Sequence, residues 1–222
     1  MEAIRKSNNI IKRSLIEGVT SGVRGLQVLD VGCGCGGDLL KWKAAGARVD
    51  MCDPDPGSLE EARRRADGLK YRVKFIHGDI RDCPKKQYDI ICFNFSLHYI
   101  FQDHETFVQS IKAIRQRLKK GGVLMGCIPD ARYILDALPF RDDMGNRVES
   151  LGITGFGGFG ETIEVQLADT PFYSQGSKPE PLAYVDALTA HLEQKGVMLE
   201  YMERFDGCSL QRLYSKFLYR MY

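Results

Sequence analysis

The sequence LQVLDVGCGCGGDLLKW, residues 26–42, decides the fold of this chain. Its apolar start at 26–31 predicts a short buried strand, its glycines predict a tight turn, and 38–45 predicts the helix that the turn opens. A strand that enters a helix through such a turn presents backbone N–H groups and the positive end of the helix to a ligand. The stretch therefore predicts a β-turn-α unit with a binding site at its turn.

Strands and helices alternate along the rest of the first 130 residues. Further strands are predicted at 48–53, 73–77, 88–93 and 123–128, and helices at 58–66 and 104–118, the last closed by Lys-Lys-Gly-Gly. Strands that alternate with helices form a parallel sheet, because right-handed crossovers carry the chain back across it. Outside this core, a helix is expected at 4–16, ending at Gly18, and a helix at 184–195 with strands at 198–204 and 213–221.

The segment at 131–178 has a different composition. It is rich in glycine and aromatic residues, and its side chains alternate at 161–167, which predicts an antiparallel pair inside an insertion. The run at 156–159 fits either a substrate lid or a turn. Together the elements predict a Rossmann-like α/β fold, with a mostly parallel seven-stranded sheet, helices on both faces and a small antiparallel insertion.

Length and charge fit one domain of ordinary surface character. The 222 residues suffice for a single α/β domain. We divide it into an N-terminal helix (1–25), a core (26–130), a substrate-side insertion (131–183) and a closing helix with strands (184–222). The net charge of +2 is compatible with a nucleic-acid substrate but does not indicate one.

The cysteines and the start of the chain predict the compartment. The seven cysteines are an odd number, and no second Cys/His pair completes a zinc site beside Cys33 and Cys35. Thiols in a reducing compartment are therefore expected, and no metal. The charged start does not fit a signal peptide, and no run approaches the ~20 apolar residues that cross a membrane. We expect an intracellular protein.

Acidic residues at the strand ends favour one cofactor. The glycines follow Asp30 at every second position, whereas dinucleotide-binding turns have the spacing Gly-x-Gly-x-x-Gly. Asp53 ends the second strand, where a carboxylate accepts the hydroxyls of a ribose, and Asp79 follows the third, within reach of an adenine amino group. Either aspartate alone fits an ordinary turn, but the set predicts S-adenosylmethionine (SAM).

Four segments carry a more specific resemblance. They are NNIIKRSLI at 8–16, VLDVGCGCGGDLLKW at 28–42, FSLHYIF at 95–101 and the strand from Gly-Gly to Pro-Asp at 121–130. They resemble the Asn-Asn-x-x-Lys helix, the first motif with its Gly-Gly-Asp-Leu extension, the Phe-x-Leu-His-Tyr-x-Phe segment and the Pro-Asp strand end of mRNA cap (guanine-N7) methyltransferases. The resemblance covers residues 8–130 and implies the class I fold of SAM-dependent methyltransferases.

The resemblance implies two adjoining sites. The cofactor site would consist of Lys12, Asp30, Gly32, Gly34, Asp53, Asp79 and Phe95. The substrate site would consist of Asn8, Asp38, Arg65, Phe95, His98, Tyr99, Glu180 and Tyr184. Lys12 would hold the methionine end of SAM, Phe95 or Tyr99 would stack on guanine, and Arg65 would contact the cap phosphates. His98 would donate a hydrogen bond to the base, and Glu180, in a late Pro-Glu-Pro, would accept from guanine N1–H and the amino group.

The implied reaction is transfer of a methyl group from SAM to N7 of the guanine cap of GpppN-RNA, which leaves S-adenosyl-L-homocysteine. Guanine N7 carries no proton at neutral pH, so no general acid or base is predicted. His98 and Glu180 would orient the substrate instead. The expected partners are the capped RNA 5′ end and other capping-enzyme domains or a stimulatory subunit, without a membrane. The expected compartment is the nucleus for a cellular source and the cytoplasm for a viral one.

Two departures from the family pattern leave alternatives open. Cys35 stands where the family has a lysine that contacts phosphate, so this contact is weaker, lost, or moved to Lys41 or Lys43. For the pocket aromatic near the C-terminus, the sequence offers Tyr214, Phe217 and Tyr219. An N- or O-methyltransferase of small molecules is the alternative function, and a binding subunit with a degenerate site is the third hypothesis.

Overall fold

Parallel strands and helices alternate through the first 130 residues of the computed structural model, which describes residues 2–154, 158–168 and 173–222. The strands are β1 (Gln27–Val31), β2 (Arg48–Asp53), β3 (Lys74–His77), β4 (Tyr88–Asn94) and β5 (Leu118–Pro129). The helices are α1 (Glu2–Thr20), α2 (Leu39–Ala44), α3 (Pro56–Gly68) and α4 (His104–Arg117). The strands pair in parallel in the order β5-β4-β1-β2-β3, as the alternation predicts.

Most element ends lie within two residues of the predicted ones, and the end of α1 and the start of β5 differ most. Helix α1 continues through Gly18 to Thr20, because a glycine lowers helix stability without ending a helix. Strand β5 begins at Leu118, directly after α4, so the Lys-Lys-Gly-Gly segment lies inside the strand. A short 3₁₀ helix at Leu97–Gln102, which the periodicity did not predict, follows β4.

The insertion is larger than the predicted antiparallel pair. It contains α5 (Ala131–Ala137) and the strands β6 (Phe140–Arg141), β7 (Arg147–Gly152), β8 (Thr162–Gln166) and β9 (Lys178–Pro181), which form a separate antiparallel sheet. Strand β9 is the Pro-Glu-Pro segment, and its prolines are tolerated because it lies at the edge of that sheet. Of the predicted run at 156–159, residues 156–157 lie outside the described ones, and Phe159 packs against Phe101 and Phe107.

The last elements complete the large sheet. They are α6 (Val185–Glu193), β10 (Val197–Arg204) and β11 (Tyr214–Met221). Strand β11 pairs antiparallel with both β5 and β10, which gives the seven strands that the sequence predicts. Among the described residues, no helix has the length and apolar character needed to cross a membrane.

Two hydrophobic layers cover the faces of the large sheet. Residues of α1, α2 and α3 pack on one face with Ile90 and Cys92 of β4. Residues of α4 and α6 pack on the other face with Ile91 and Phe93. This alternation along β4 places one apolar layer on each side, so the predicted helices on both faces are confirmed.

The glycine-rich turn approaches the end of β4 closely. Gly32 has a φ of 69°, and a Cβ at this position would overlap the Cβ of Ser96. The Ser96 hydroxyl donates to the carbonyl of Val31 at 2.6 Å, so this contact joins the ends of β1 and β4. Only glycine meets both conditions, a left-handed backbone and no side chain.

We predict that Gly32→Ala lowers the free energy of unfolding. The left-handed backbone alone costs an alanine ~1–2 kcal/mol, and the overlap with Ser96 adds to this. Denaturant unfolding measures the loss. Gly18→Ala is the control, because a Cβ at this helical position meets nothing within 4 Å and should stabilise by up to ~1 kcal/mol. Equal stability of Gly32→Ala and the wild type would show that the turn tolerates a side chain.

Candidate active site

The predicted site residues follow the carboxyl ends of neighbouring strands. The turn at 32–38 follows β1, Asp53 ends β2, Asp79 follows β3, and the segment from 95 follows β4. Because these strands are parallel, their carboxyl ends meet at one edge of the sheet, which is where α/β sheets bind ligands. Strand β11 starts at the same edge, since Tyr214 pairs with Pro129 at the end of β5.

The glycine turn wraps around the end of β2. The N–H groups of Gly32 and Cys33 both donate to the carbonyl of Cys52, at 2.8 and 3.0 Å. The N–H of Gly34 donates to Asp53 Oδ2 at 2.7 Å, and the N–H of Asp55 donates to Oδ1 at 3.0 Å. Gly34 has a φ of 51° and open space where a Cβ would stand. The turn therefore offers bare backbone to a ligand beside a fixed carboxylate.

A buried carboxylate connects three elements at the start of α2. Asp38 is 6% exposed and accepts from Lys12 at 3.1 Å, from Lys41 at 2.6 Å and from the side-chain amide of Asn94 at 2.9 Å. Burial raises the pKa of Asp38, but the two lysines outweigh it and hold this pKa below its usual value. Lys41 also donates to Asn9 at 2.9 Å. With one anion and two cations the cluster carries a net positive charge.

Asn94 contributes an unused acceptor to this cluster. Its amide nitrogen donates to Asp38, while its buried Oδ1 has no hydrogen-bond partner among the described residues. A buried polar atom without a partner is uncommon in proteins and points to a ligand that supplies a donor. Sequence analysis did not predict this residue, because the last position of the apolar strand β4 gives no signal of its own.

Asp30 lies beneath the turn and is almost fully buried. Its Oδ2 accepts a hydrogen bond from Trp42 Nε1 at 2.9 Å. Burial and the nearby negative charge of Asp38 raise the pKa of Asp30 to about 7, against the effect of Trp42. Asp30 therefore supports the first turn of α2 from below.

Asp79 lies in the turn after β3 and is partly used by a neighbour. Its carboxylate accepts from the guanidinium of Arg81, with Nη2 2.6 Å from Oδ2 and Nε 3.0 Å from both oxygens. Burial raises the pKa of Asp79, but Arg81 outweighs it and the pKa lies below its usual value. The side chain is 37% exposed, so the carboxylate remains open to solvent and to a ligand.

Aromatic side chains gather beside the end of β4. Phe95 has a φ of 62°, rare for a bulky residue, and its ring lies edge-on to Tyr214 and Phe205, with centroids 5.4 and 6.2 Å away. The rings of His98 and Tyr99 lie 4.1 Å apart. Of the three candidates for the C-terminal aromatic, Tyr214 is the one that contacts Phe95, whereas Phe217 and Tyr219 are fully buried in the core.

Glu180 joins the aromatic group from the small sheet. Its Oε2 lies 3.3 Å from Nε2 of His98, and its Oε1 accepts from the hydroxyl of Tyr173. Burial raises the pKa of Glu180, but the approach of the His98 ring and Tyr173 outweighs it, so the pKa lies below its usual value. Burial and the Glu180 charge raise the pKa of Tyr99, Tyr173 and Tyr214, which keeps the three phenols protonated. The carboxylate thus stays ionised among donors.

His98 has unused hydrogen-bonding capacity. The residue is 3% exposed, and its contact with Glu180 lacks the alignment of a hydrogen bond. Neither ring nitrogen has a hydrogen-bond partner among the described residues. Like the acceptor of Asn94, this buried ring indicates a site that a polar ligand would complete.

Three predicted substrate residues make other contacts. Asn8 Oδ1 accepts from Gln211 at 3.0 Å, which ties α1 to the segment before β11. Arg65 donates to Glu61 at 2.6 Å on the exposed surface of α3. Tyr184 donates its hydroxyl to Glu161. Each of these three side chains thus has a hydrogen-bond partner other than Glu180, and their roles stay predictions.

The three positions considered for a phosphate contact, Lys41, Lys43 and Cys35, fall into two groups. Lys41 is buried against Asp38, and Lys43 donates to the carbonyl of Leu69, so both ammonium groups are already bound. Cys35 is exposed, with its sulfur 3.8 Å from the hydroxyl of Ser58. The surface beside the turn therefore has an exposed cysteine at the position where the resemblance implies a lysine.

Sequence analysis missed Tyr173 and Phe205, which contact the pocket residues Glu180 and Phe95. Tyr173 lies in the glycine- and aromatic-rich insertion, and Phe205 directly follows β10. Nothing in the local pattern distinguishes them from other aromatic residues: Phe205 meets a residue of a distant segment, and Tyr173 is one of several aromatic residues in the insertion.

The donor and acceptor set fits the groups of SAM. A carboxylate would meet the Lys12 cation, an ammonium would meet the unused Asn94 acceptor, and ribose hydroxyls would meet Asp53. The open space beside Gly34 leaves room for a ligand to lie against the backbone of the turn. Charge and hydrogen-bonding capacity therefore match an amino acid joined to a nucleoside.

Several sequence relatives of the chain share one description. The family described as the mRNA (guanine-N(7))-methyltransferase domain matches residues 1–154. The mRNA cap guanine-N(7) methyltransferase of Caenorhabditis elegans is 30% identical, over 91% of this chain and 60% of the relative. That of Saccharomyces cerevisiae is 34% identical, over 59% of this chain and 33% of the relative. The chain spans 60% of the length of the nematode relatives and less of the fungal ones.

Solved structures share the fold at low identity. A protein of Pyrococcus horikoshii superposes with a TM-score of 0.71 at 18% identity, covering 96% of this chain and 90% of that one. The glycopeptide N-methyltransferase MtfA, solved with SAM, gives 0.67 at 15% identity, covering 95% and 93%. A SAM-dependent methyltransferase of Clostridium acetobutylicum gives 0.67 at 16% identity, covering 98% and 91%. The predicted class I fold of SAM-dependent methyltransferases is confirmed.

We predict that Asp30 makes the stability of the protein fall as pH rises from about 4 to about 7. The folded pKa of about 7 lies above the unfolded value of ~3.9, so the folded state binds more protons in this interval. An asparagine carries no titrating proton, so the loss of stability should be absent from Asp30→Asn. The free energy of unfolding of the variant should therefore rise relative to that of the wild type as pH increases across the interval. Denaturant titrations at several pH values measure the difference.

Asp55→Asn is the matched control for this pH series. Asp55 is exposed, caps α3, and has a lowered pKa through its hydrogen bonds with Ser58, so its contribution is lost only as pH falls. The control should therefore run parallel to the wild type between about pH 5 and 7. A constant difference between Asp30→Asn and the wild type over the whole series would contradict the prediction.

Proposed function

We propose that this chain, which belongs to the mRNA (guanine-N(7))-methyltransferase domain family, transfers a methyl group from SAM to N7 of the guanine cap of mRNA. The observation that carries the proposal is the meeting of two sites at one sheet edge. Asn94, next to Phe95 of the aromatic pocket, donates to Asp38 at the start of α2 at 2.9 Å, and Ser96 donates to the carbonyl of Val31, where the glycine turn begins, at 2.6 Å. The aromatic pocket and the glycine turn therefore adjoin each other.

The glycine turn and its neighbours would hold SAM. Lys12 would bind the methionine carboxylate, and the unused Oδ1 of Asn94 would accept from the ammonium group. Asp53 would accept a ribose hydroxyl, and Asp79 would accept from the adenine amino group. Bound SAM supplies an electrophilic methyl group on a sulfonium. The turn glycines would act by shape, because they allow the ligand to approach the backbone, and Asp30 would support the turn through its hydrogen bond with Trp42.

The aromatic group would hold the guanine. Phe95, Tyr99 and Tyr214 offer rings for stacking, and base–aromatic stacking contributes ~1–3 kcal/mol per base. Glu180 would accept from N1–H and the amino group, and the His98 ring, with both nitrogens unused, would donate to the base. The insertion at 131–183 would thus complete the substrate side of the domain, because Glu180 and Tyr173 come from it.

Positioning would account for the catalysis. Guanine N7 has a free lone pair, so no side chain needs to remove a proton. Holding both reactants rigidly contributes up to ~7–11 kcal/mol to lowering a barrier of this kind. The positive charge moves from the sulfonium to the guanine during transfer, and the buried Glu180 carboxylate would stabilise the charge on the base.

The proposed substrate is a capped RNA 5′ end, and other capping-enzyme domains or a stimulatory subunit are proposed partners. The names of the longer relatives support the substrate. A protein with this substrate would act where the RNA is capped, in the nucleus of a cellular source or the cytoplasm of a viral host. A small-molecule substrate is the alternative outcome of the assay below.

We predict that substitutions of the two carboxylates, Glu180 and Asp53, impair different steps. Glu180→Gln keeps the size of the side chain but replaces an acceptor oxygen with a donor amide, so it should lower transfer to GpppG at least tenfold and leave SAM affinity unchanged. Asp53→Asn should weaken SAM binding several-fold. Calorimetry gives SAM affinity, and radiolabelled SAM with GpppG gives label in 7-methylguanosine.

Each variant controls for the other in this experiment. If Glu180→Gln transfers the methyl group as fast as the wild type, Glu180 does not contribute to guanine binding. If the wild type labels no cap but labels a metabolite, the substrate is a small molecule. If it binds SAM and labels neither, the chain is a binding subunit.

We predict that Cys35→Lys raises affinity for the cap. The side chain is exposed beside the turn, so a lysine fits there and brings a positive charge toward the cap phosphates. The KM for GpppG-RNA should fall several-fold, with a steeper dependence on salt. Cys35→Met is the neutral control of similar length, and it should resemble the wild type. A raised KM for Cys35→Lys would mean that the phosphates pass elsewhere.

A further inference from the structure

Arg117 is a buried cation that belongs to neither proposed pocket. It is the last residue of α4 and is 2% exposed. Among the described residues, no carboxylate lies within 4.0 Å of its guanidinium. A buried charge is costly unless it is hydrogen-bonded, so its partners reveal what it stabilises.

The partners are backbone carbonyls of one turn. Nη2 donates to the carbonyl of Cys83 at 2.6 Å and to that of Arg81 at 3.2 Å, and Nε donates to Cys83 at 3.2 Å. Nη1 donates to the carbonyl of Ala113 in its own helix at 3.2 Å. The planar fork of arginine therefore grips the chain at 81–83 while its other nitrogen is anchored to α4.

This turn carries Asp79. The N–H of Asp79 donates to the Asp82 carboxylate at 3.0 Å, and the sulfur of Cys83 donates to the carbonyl of Asp79 at 3.4 Å. The N–H of Gly78 donates to the carbonyl of Asp53 at 3.0 Å. The turn at 78–83 is thus bonded to the end of β2 on one side and to Arg117 on the other.

We propose that Arg117 is a positioning residue for adenine recognition, which fixes the turn at 78–83 so that the Asp79 carboxylate meets the adenine amino group of SAM. The proposal rests on the proposed function, since it takes Asp79 as the adenine contact. Arg117 touches neither cofactor nor substrate in this assignment. Its effect should therefore appear in the recognition of one group of SAM and not in methyl transfer as such.

The test compares S-adenosylhomocysteine with its analogue that lacks the 6-amino group on the purine. The wild type should bind the parent ligand about tenfold more tightly, as a hydrogen bond to a charged group is expected to give. In Arg117→Met this preference should shrink to below about threefold, through loss of affinity for the parent ligand alone. Calorimetry on the full chain measures both affinities, and kcat at saturating SAM should stay within about twofold.

Two further variants separate positioning from general loss of structure. Arg115→Met, on the same helix, removes an exposed arginine that donates to the carbonyl of Lys195, and it should keep the wild-type preference. The double variant Arg117→Met with Asp79→Ala should show the same preference between the two ligands as Asp79→Ala alone. Both changes act on one contact, so the second has nothing further to remove. Should Arg117→Met fold poorly, Arg117→Lys keeps the charge but lacks the fork, and an intermediate preference is expected.

The outcomes are distinct. Equal weakening of both ligands, or no weakening, by a folded Arg117 variant would overturn the positioning role while the methyltransferase function stands. A wild type that binds both ligands equally would overturn this proposal together with the adenine contact of Asp79. Transfer of label to the cap, measured in parallel, tests the proposed function on its own.

Discussion

The buried carboxylate of Asp38 is the interaction on which the site depends. It holds Lys12 of α1, Lys41 of α2 and Asn94 of β4 around one anion, so a terminal helix, the glycine turn and a central strand meet at a fixed point. Two cations buried near each other would repel without it, and breaking a buried ion pair costs ~3–5 kcal/mol. Because the anion neutralises only one lysine, the cluster keeps a positive charge that suits a carboxylate ligand.

The end of β4 connects the Asp38 cluster with the aromatic pocket. Asn94 contacts Asp38, and the next residue, Phe95, turns its backbone into the left-handed region at a cost of ~1–3 kcal/mol. Its N–H donates to the carbonyl of Cys127 at 2.8 Å, and its ring packs on Tyr214, which offset that cost. One short segment therefore faces both proposed ligands.

Sequence patterns predicted the parts of the molecule that depend on local order. The turn at 32–37, the end of β2 at Asp53, the turn after β3 at Asp79 and the seven-stranded sheet follow from spacing and alternation. Helix α5 and strands β6 and β9 were missed, because their stability comes from the apolar cluster of the small sheet rather than from periodicity. Tyr214 was not distinguishable from Phe217 or Tyr219 until the register of β11 against β5 placed it opposite Pro129, at the open edge. Arg117 gave no signal, since its partners at 81–83 are remote in sequence, and Tyr173 gave none because the insertion holds several similar aromatic residues.

Glu180 and the tyrosines around it keep fixed charge states that suit the proposed reaction. The approach of His98 and Tyr173 outweighs burial and holds the pKa of Glu180 below its usual value, so the carboxylate stays ionised. Burial and this negative charge raise the pKa of Tyr99 and Tyr214, so both phenols stay protonated. The pocket thus offers a fixed negative charge beside aromatic rings, which suits a base that becomes positively charged at N7.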